Sequence, residues 1–195
     1  NDEGGINGRK INFVTLDGRC VLIVGFESAD HRLDPWMERA LAITASHGGD
    51  CPKGPRYREP GAGEDDAAGA WKSRFIEAPY LLSILVSLGM VVDTFETAIS
   101  WERFWALDAA LRERLEETMQ SVCGGGWLCS RFTHVYPDGP APYYTFIAPS
   151  RPGAQLEHWA EIKRVASDTL IELGATITHH HAVGRVHRPW YHEQA

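Results

Sequence analysis

Apolar positions along this chain follow a period of two in some stretches and of three to four in others. Ile11 to Phe13 and the run Cys20-Val21-Leu22-Ile23-Val24-Gly25-Phe26 are β-rich and flank Asp17-Gly18, which predicts a strand pair over residues 11 to 27. Asp34 as N-cap, Pro35 at the first helical position and the stop His47-Gly48-Gly49 predict a helix from about 35 to 47. Cys51 to Gly69 is rich in Pro, Gly and charge without periodicity and reads as a long loop. Pro79 to Leu88 reads as an apolar helix ended by Gly89, and Met90 to Thr97 as a strand.

Ser100 should cap a helix whose inner stripe is Phe104, Leu107, Leu111, Leu115 and Met119, spaced at three and four. Past Gly124-Gly125-Gly126, strands over about 127 to 136 and 142 to 148 flank the turn Pro137-Asp138-Gly139-Pro140 and predict a hairpin. Trp159, Ile162, Ala166, Thr169 and Leu173 mark one face of a helix closed by Gly174, after which Ala175 to His181 reads as a returning strand. Strands and helices in this order predict an α+β fold: one domain over 1–195, an antiparallel sheet with helices packed on one face and the other face free to cover a ligand.

Composition narrows the partners. With 195 residues the chain can bury a core, and its formal charge of −7 with scattered Lys and Arg excludes nucleic acid as an expected partner. No apolar run reaches the ~20 residues of a membrane span, so membrane association is not indicated. The four cysteines lack C-x-x-C spacing, which signals reduced thiols and a cytoplasmic location. Asn1-Asp2-Glu3-Gly4-Gly5 and the polar stretch Trp190 to Ala195 both read as cut ends, with no closing element at the C-terminus.

Chemistry concentrates in Thr178-His179-His180-His181-Ala182-Val183-Gly184-Arg185. On a strand His179 and His181 would share one side and His180 take the other, so the run alone makes an awkward three-ligand site and no metal is expected. A satisfied or surface His cluster is the bland reading; imidazole near its neutral pKa also suits proton transfer. Tyr143 read alone is a core or cross-strand aromatic, and Arg131 a structural cation.

Four ordered segments carry a resemblance. Thr178 to Arg185 with His187-Arg188-Pro189-Trp190-Tyr191 resembles the His-His-His-x-Val-Gly-Lys/Arg signature of the alkyl-dihydroxyacetonephosphate synthase-like branch of the FAD-linked oxidase superfamily, whose fold type is that of vanillyl-alcohol oxidase. Asp93-Thr94-Phe95-Glu96-Thr97 with Trp101, Arg131-Phe132-Thr133-His134-Val135-Tyr136, and Tyr143-Tyr144-Thr145-Phe146 are similar to three further segments of that branch. The resemblance implies a C-terminal, ferredoxin-like cap domain over the isoalloxazine ring of FAD, with the missing N-terminal FAD-binding domain as its partner and a small molecule as substrate. It implies exchange of an acyloxy for an alkoxy group without net redox change, with Tyr143 and His180 as the catalytic acid and base, and Thr94, His179, His181 and Arg131 lining the substrate pocket. The fragment alone would then neither hold the flavin nor turn over. A homodimer is compatible with this arrangement.

Where the synthases carry an Arg that holds the phosphate headgroup, this chain reads Pro79-Tyr80-Leu81-Leu82-Ser83, and Leu82 cannot bind a phosphate. Two alternatives stay open. A flavin-dependent 2-hydroxyacid dehydrogenase would show Gly-Glu-His-Gly in place of Thr178 to Ala182, and a non-catalytic ligand-binding or assembly module would need no upstream FAD domain.

Overall fold

The computed structural model describes residues 2–6, 9–13, 22–57 and 80–194. Its elements in order are β1 (Asp2–Ile6), β2 (Arg9–Phe13), α1 (Asp34–Ser46), α2 (80–87), β3 (Met90–Glu96), α3 (Trp101–Cys123), β4 (Trp127–Val135), β5 (Pro140–Pro149), α4 (Gln155–Glu172) and α5 (Gly184–Gln194). The centre is a three-stranded antiparallel sheet in the order β3-β5-β4, and β1 pairs with β2 in a separate two-stranded sheet close to β4. The predicted α+β class, with helices on one face, is the observed one.

The helix-covered face follows from the alternation in β5. Tyr144, Phe146 and Ala148 are fully buried, and their cross-strand partners include Phe95, Val91 and Leu128. Against them lies the stripe Phe104, Leu107, Leu111, Leu115 and Met119 of α3, followed by Ile162, Ala166 and Leu170 of α4. Each of these leucines is removed from water completely, worth about 1.5–3 kcal/mol apiece. Phe95 and Tyr144 stack at 5.0 Å, and the Tyr144 hydroxyl donates to Asp108 Oδ1 at 3.0 Å, so the phenol is buried without losing a partner.

Several expectations are corrected. The N-terminal pair is Asp2–Ile6 with Arg9–Phe13, while the described residues 22–26 form no strand and the Asp17-Gly18 turn lies outside the described residues. Leu33, not Asp34, occupies the N-cap of α1, and Asp34 accepts from Arg32 Nε instead. Of the loop predicted over 51–69, residues 58–69 lie outside the described residues. Gly124-Gly125-Gly126 is the C-cap of α3: Gly124, with φ 77°, and Gly125 donate their N–H groups to Gln120 and Met119 carbonyls.

The largest correction concerns the C-terminal segment. Residues 175–181 are not a strand, because only Thr176 N–H and His179 N–H reach backbone carbonyls beside β3, those of Ala98 and Glu96, and His180 adopts φ 60°. A left-handed residue breaks the two-residue alternation, so the predicted split of His179 and His181 from His180 does not apply. The polar C-terminal stretch forms α5, and its Gln194 side chain accepts from Ile177 N–H and donates to the Ala175 carbonyl. Helix α5 thus closes the fold where no closing element is predicted.

Candidate functional site

Cross-strand register sets out the uncovered face as three rows across β3, β5 and β4. One row is Glu96, Tyr143 and Arg131; the next is Thr94, Thr145 and Cys129; the last is Val92, Ile147 and Trp127. Acid, phenol and guanidinium therefore stand side by side at one end, grading through hydroxyls to an apolar end. Arg131 Cζ sits 3.9 Å from the Tyr143 ring centroid, a cation–π contact that fixes the phenol's orientation.

A β-bulge adds the next residue. Plain alternation would put His134 on the same side as Phe132, whose ring packs in the helix-side aromatic group with Trp101 and Phe104. The register slips between Phe132 and His134, so that His134 pairs with Ala141 and joins the face of Tyr143. Sequence reasoning passed over His134. A bulge is invisible to periodicity, and only the placement of an imidazole within the Arg131–Tyr136 segment could have pointed to it.

Glu96 anchors the cluster. It is 3% exposed, with Oε1 at 3.4 Å from His179 Nδ1 and 3.7 Å from His134 Nδ1, and Oε2 at 3.7 Å from His181 Nε2. Three imidazoles from two chain segments thus face one buried carboxylate. His181 meets the Tyr143 ring edge-on at 5.3 Å, and His179 Nε2 lies 3.4 Å from the Tyr136 hydroxyl. His180 is exposed, with ring centroids 4.1 Å from His179 and 4.5 Å from His134. Burial first, and then His180, pushes the His134 imidazole below its ordinary pKa, with Glu96 acting in the opposite direction.

Beyond the sheet edge a cavity of about 240 Å³ is lined by Thr94, Trp159, Lys163, His181 and the start of α5. Lys163 is 6% exposed and donates to the Thr94 carbonyl at 3.0 Å, with Asp93 Oδ2 at 3.3 Å. Asp93 Oδ2 also accepts from Trp159 Nε1 at 2.7 Å. Thr94 and His181 thereby connect the cavity to the acid–phenol row, and Lys163 is a buried cation that no motif or spacing singles out.

All six sequence-predicted residues fall in one region. Tyr143, Arg131, His179 and His181 are joined directly or through Glu96, Thr94 lies one row away, and His180 stands on the rim beside His134. The half-buried phenol, guanidinium and hydroxyl side chains of Tyr143, Arg131, Thr94 and Thr145 suit contact with a planar aromatic group. They do not form a pyrophosphate cradle. Among the described residues, glycine clusters end α1 and α3, whereas Gly153 ahead of α4 and Gly184 at the start of α5 stand singly.

Residues 6–195 match the model of the family described as FAD linked oxidases, C-terminal domain. An alkyldihydroxyacetonephosphate synthase of Dictyostelium discoideum is 23% identical over 172 residues, 88% of this chain and 26% of that protein. The synthase of Caenorhabditis elegans is 30% identical over 115 residues, 57% of this chain and 19% of that protein. A solved alkyldihydroxyacetonephosphate synthase structure superposes with a TM-score of 0.64 and 19% identity, covering 90% of this chain and 30% of the other. The chain spans about a quarter of the length of the Dictyostelium relative.

Proposed function

Because this chain belongs to the family of FAD-linked oxidase C-terminal domains, we propose that it is the substrate-covering part of an FAD-dependent enzyme resembling alkyldihydroxyacetonephosphate synthase, with Tyr143 and His180 as its acid–base pair. The convergence of Tyr143, Glu96 and the histidines on the uncovered sheet face carries this reading. Tyr143, Thr145 and Arg131 would lie against the ring, while the phosphates of the cofactor would be held by another part of the protein. By itself the chain would then neither retain FAD nor turn over. When bound, an oxidised flavin supplies an electron-accepting ring next to the substrate carbon.

The protein groups handle protons and position. Tyr143 Oη donates a proton to the leaving oxygen, and the π face of its ring is held against Arg131. His180 has an exposed imidazole available to take a proton from substrate carbon, and His134 and His179 limit where that ring can go. Glu96, excluded from water, stabilises any positive charge that develops on the neighbouring imidazoles. The substrate would reach these groups through the cavity beside Thr94 and His181. Leu82 is an exposed apolar residue of α2, so a headgroup bound through that position is uncharged.

The test uses the full-length flavoprotein. His180→Ala and Tyr143→Phe should each reduce turnover by about 10²–10⁴-fold, the usual worth of a positioned acid or base, with the visible flavin spectrum retained. Undiminished turnover in either variant removes that residue from the mechanism.

A further inference from the structure

The cavity at the β3 edge has a polar wall that the proton chemistry leaves unused. It encloses about 240 Å³, less than the ~300–1,000 Å³ of a site for a whole drug-sized molecule, so it takes one end of a ligand. We infer that it is a carboxylate-binding site, with Lys163 and Arg185 holding the acid and Trp159, Val183 and Val186 forming the walls against the carbon chain. That the ligand is a reactant of the flavoenzyme rests on the function proposed above, whereas the binding does not.

Lys163 is fixed in the wall of the cavity. An ammonium group carries three N–H donors. Two of them serve the Thr94 carbonyl at 3.0 Å and Asp93 Oδ2 at 3.3 Å, which leaves the third for a ligand. The side chain is 7% exposed, so water competes weakly there and a charge-assisted hydrogen bond is strong. Asp93 does not cancel the site, because its own oxygens are turned to protein donors: Oδ1 accepts from Thr94 N–H and Oδ2 from Trp159 Nε1, both at 2.7 Å.

Arg185 lines the same cavity from the first turn of α5, exposed and without an acidic partner among the described residues. Its planar fork of donors matches the two oxygens of a carboxylate. Two permanent cations, Lys163 and Arg185, against the one carboxylate of Asp93 leave a single positive charge, which suits a carboxylate and falls short of a phosphate dianion. His187 is 8% exposed, and its Nδ1 pairs with the Ala182 carbonyl at 3.1 Å, holding in place the turn that presents Arg185. Burial keeps that imidazole below its ordinary pKa, so at neutral pH it adds no charge to the balance. Thr94 and His181 link the cavity to the Tyr143 row, so a carbon chain extending from the bound acid passes toward the reacting face.

The experiment titrates hexanoate into the full-length flavoprotein by isothermal calorimetry, with hexanol and hexyl phosphate as matched probes. One saturable hexanoate site per chain is expected, with hexyl phosphate binding more weakly and hexanol weaker by about tenfold or more, the worth of a charged hydrogen bond. Lys163→Met should weaken hexanoate binding by about tenfold or more, and Arg185→Gln by about three- to tenfold, because water screens an exposed guanidinium. Arg185→Gln, on the surface, keeps the test valid should Lys163→Met fail to fold. His180→Ala, outside the cavity, should bind hexanoate unchanged whatever its turnover, so failure of the acid–base reading and failure of this site are seen separately. Absence of saturable binding, hexanol or hexyl phosphate binding as tightly as hexanoate, an unchanged dissociation constant in Arg185→Gln, or lost binding in His180→Ala overturns the site.

Discussion

Lys163→Met tests how the strand that carries Thr94 and Glu96 is held in place. Lys163 Nζ lies 3.3 Å from Asp93 Oδ2 and donates to the Thr94 carbonyl at 3.0 Å, tying α4 to the edge of β3. At an effective dielectric of about 20, charges at that separation attract by ~5 kcal/mol, an upper bound before desolvation is subtracted. Asp93 is 32% exposed and keeps its bond from Trp159 Nε1, so water and the indole recover part of the loss. A lost charged hydrogen bond to the Thr94 carbonyl adds about 1.5–3 kcal/mol. The net expectation is a destabilisation of about 2–3 kcal/mol, measured as the shift in urea midpoint at constant slope. Asp93→Asn with Lys163→Met should cost less than the sum of the two single variants, by about 1–2 kcal/mol of coupling. A loss below ~0.5 kcal/mol, or strict additivity, would refute the view that this pair anchors β3.

Two further outcomes follow from the fold. A Cβ on Gly139 would meet the Ile99 carbonyl oxygen at 1.9 Å, so Gly139→Ala should destabilise by more than ~2 kcal/mol; a normal melting temperature would show that the 137–140 turn can move away from residue 99. Burial holds the His187 imidazole below its ordinary pKa of 6.5, so the unfolded chain binds more protons in that range. Stability should therefore fall as pH drops through 6.5 and level off below the folded-state value, and His187→Gln should flatten that slope, as thermal melts across pH 5–8 would record.

Long regular elements were legible in the chain, and the reason is physical. The α3 stripe runs for five positions at three- and four-residue spacing, and only one helix face can satisfy it. The β4–β5 hairpin is announced by Pro137 to Pro140, where turn chemistry and β-rich flanks agree. In β5 the alternation sends Tyr144 into the core and leaves Tyr143 on the open face, which is why adjacent tyrosines have different roles.

Local irregularities were not legible. Adjacent histidines after Ile177 look like a strand because β-rich residues precede them, and nothing in composition announces the left-handed turn at His180. The bulge that redirects His134 arises from one extra residue in β4, which periodicity averages away. Helix α5 is disguised by Pro189 and by its histidines and aromatics, and its packing shows through buried His187, through Gln194 and through Trp190, whose indole donates to Asp168 at 2.7 Å. Motif resemblance singled out six residues that the fold brings into one region, but Glu96, the carboxylate that three histidines face, emerged only from side-chain distances.

The claim on which the rest depends is that the face bearing Tyr143, Thr145 and Arg131 forms one wall of the flavin pocket. Thr145→Cys in the full-length protein places a thiol at the middle of that face, and its alkylation rate can be followed by mass spectrometry of the peptide that contains it. Alkylation should be at least tenfold slower with FAD bound than after the flavin is stripped; equal rates in the two states would contradict the account.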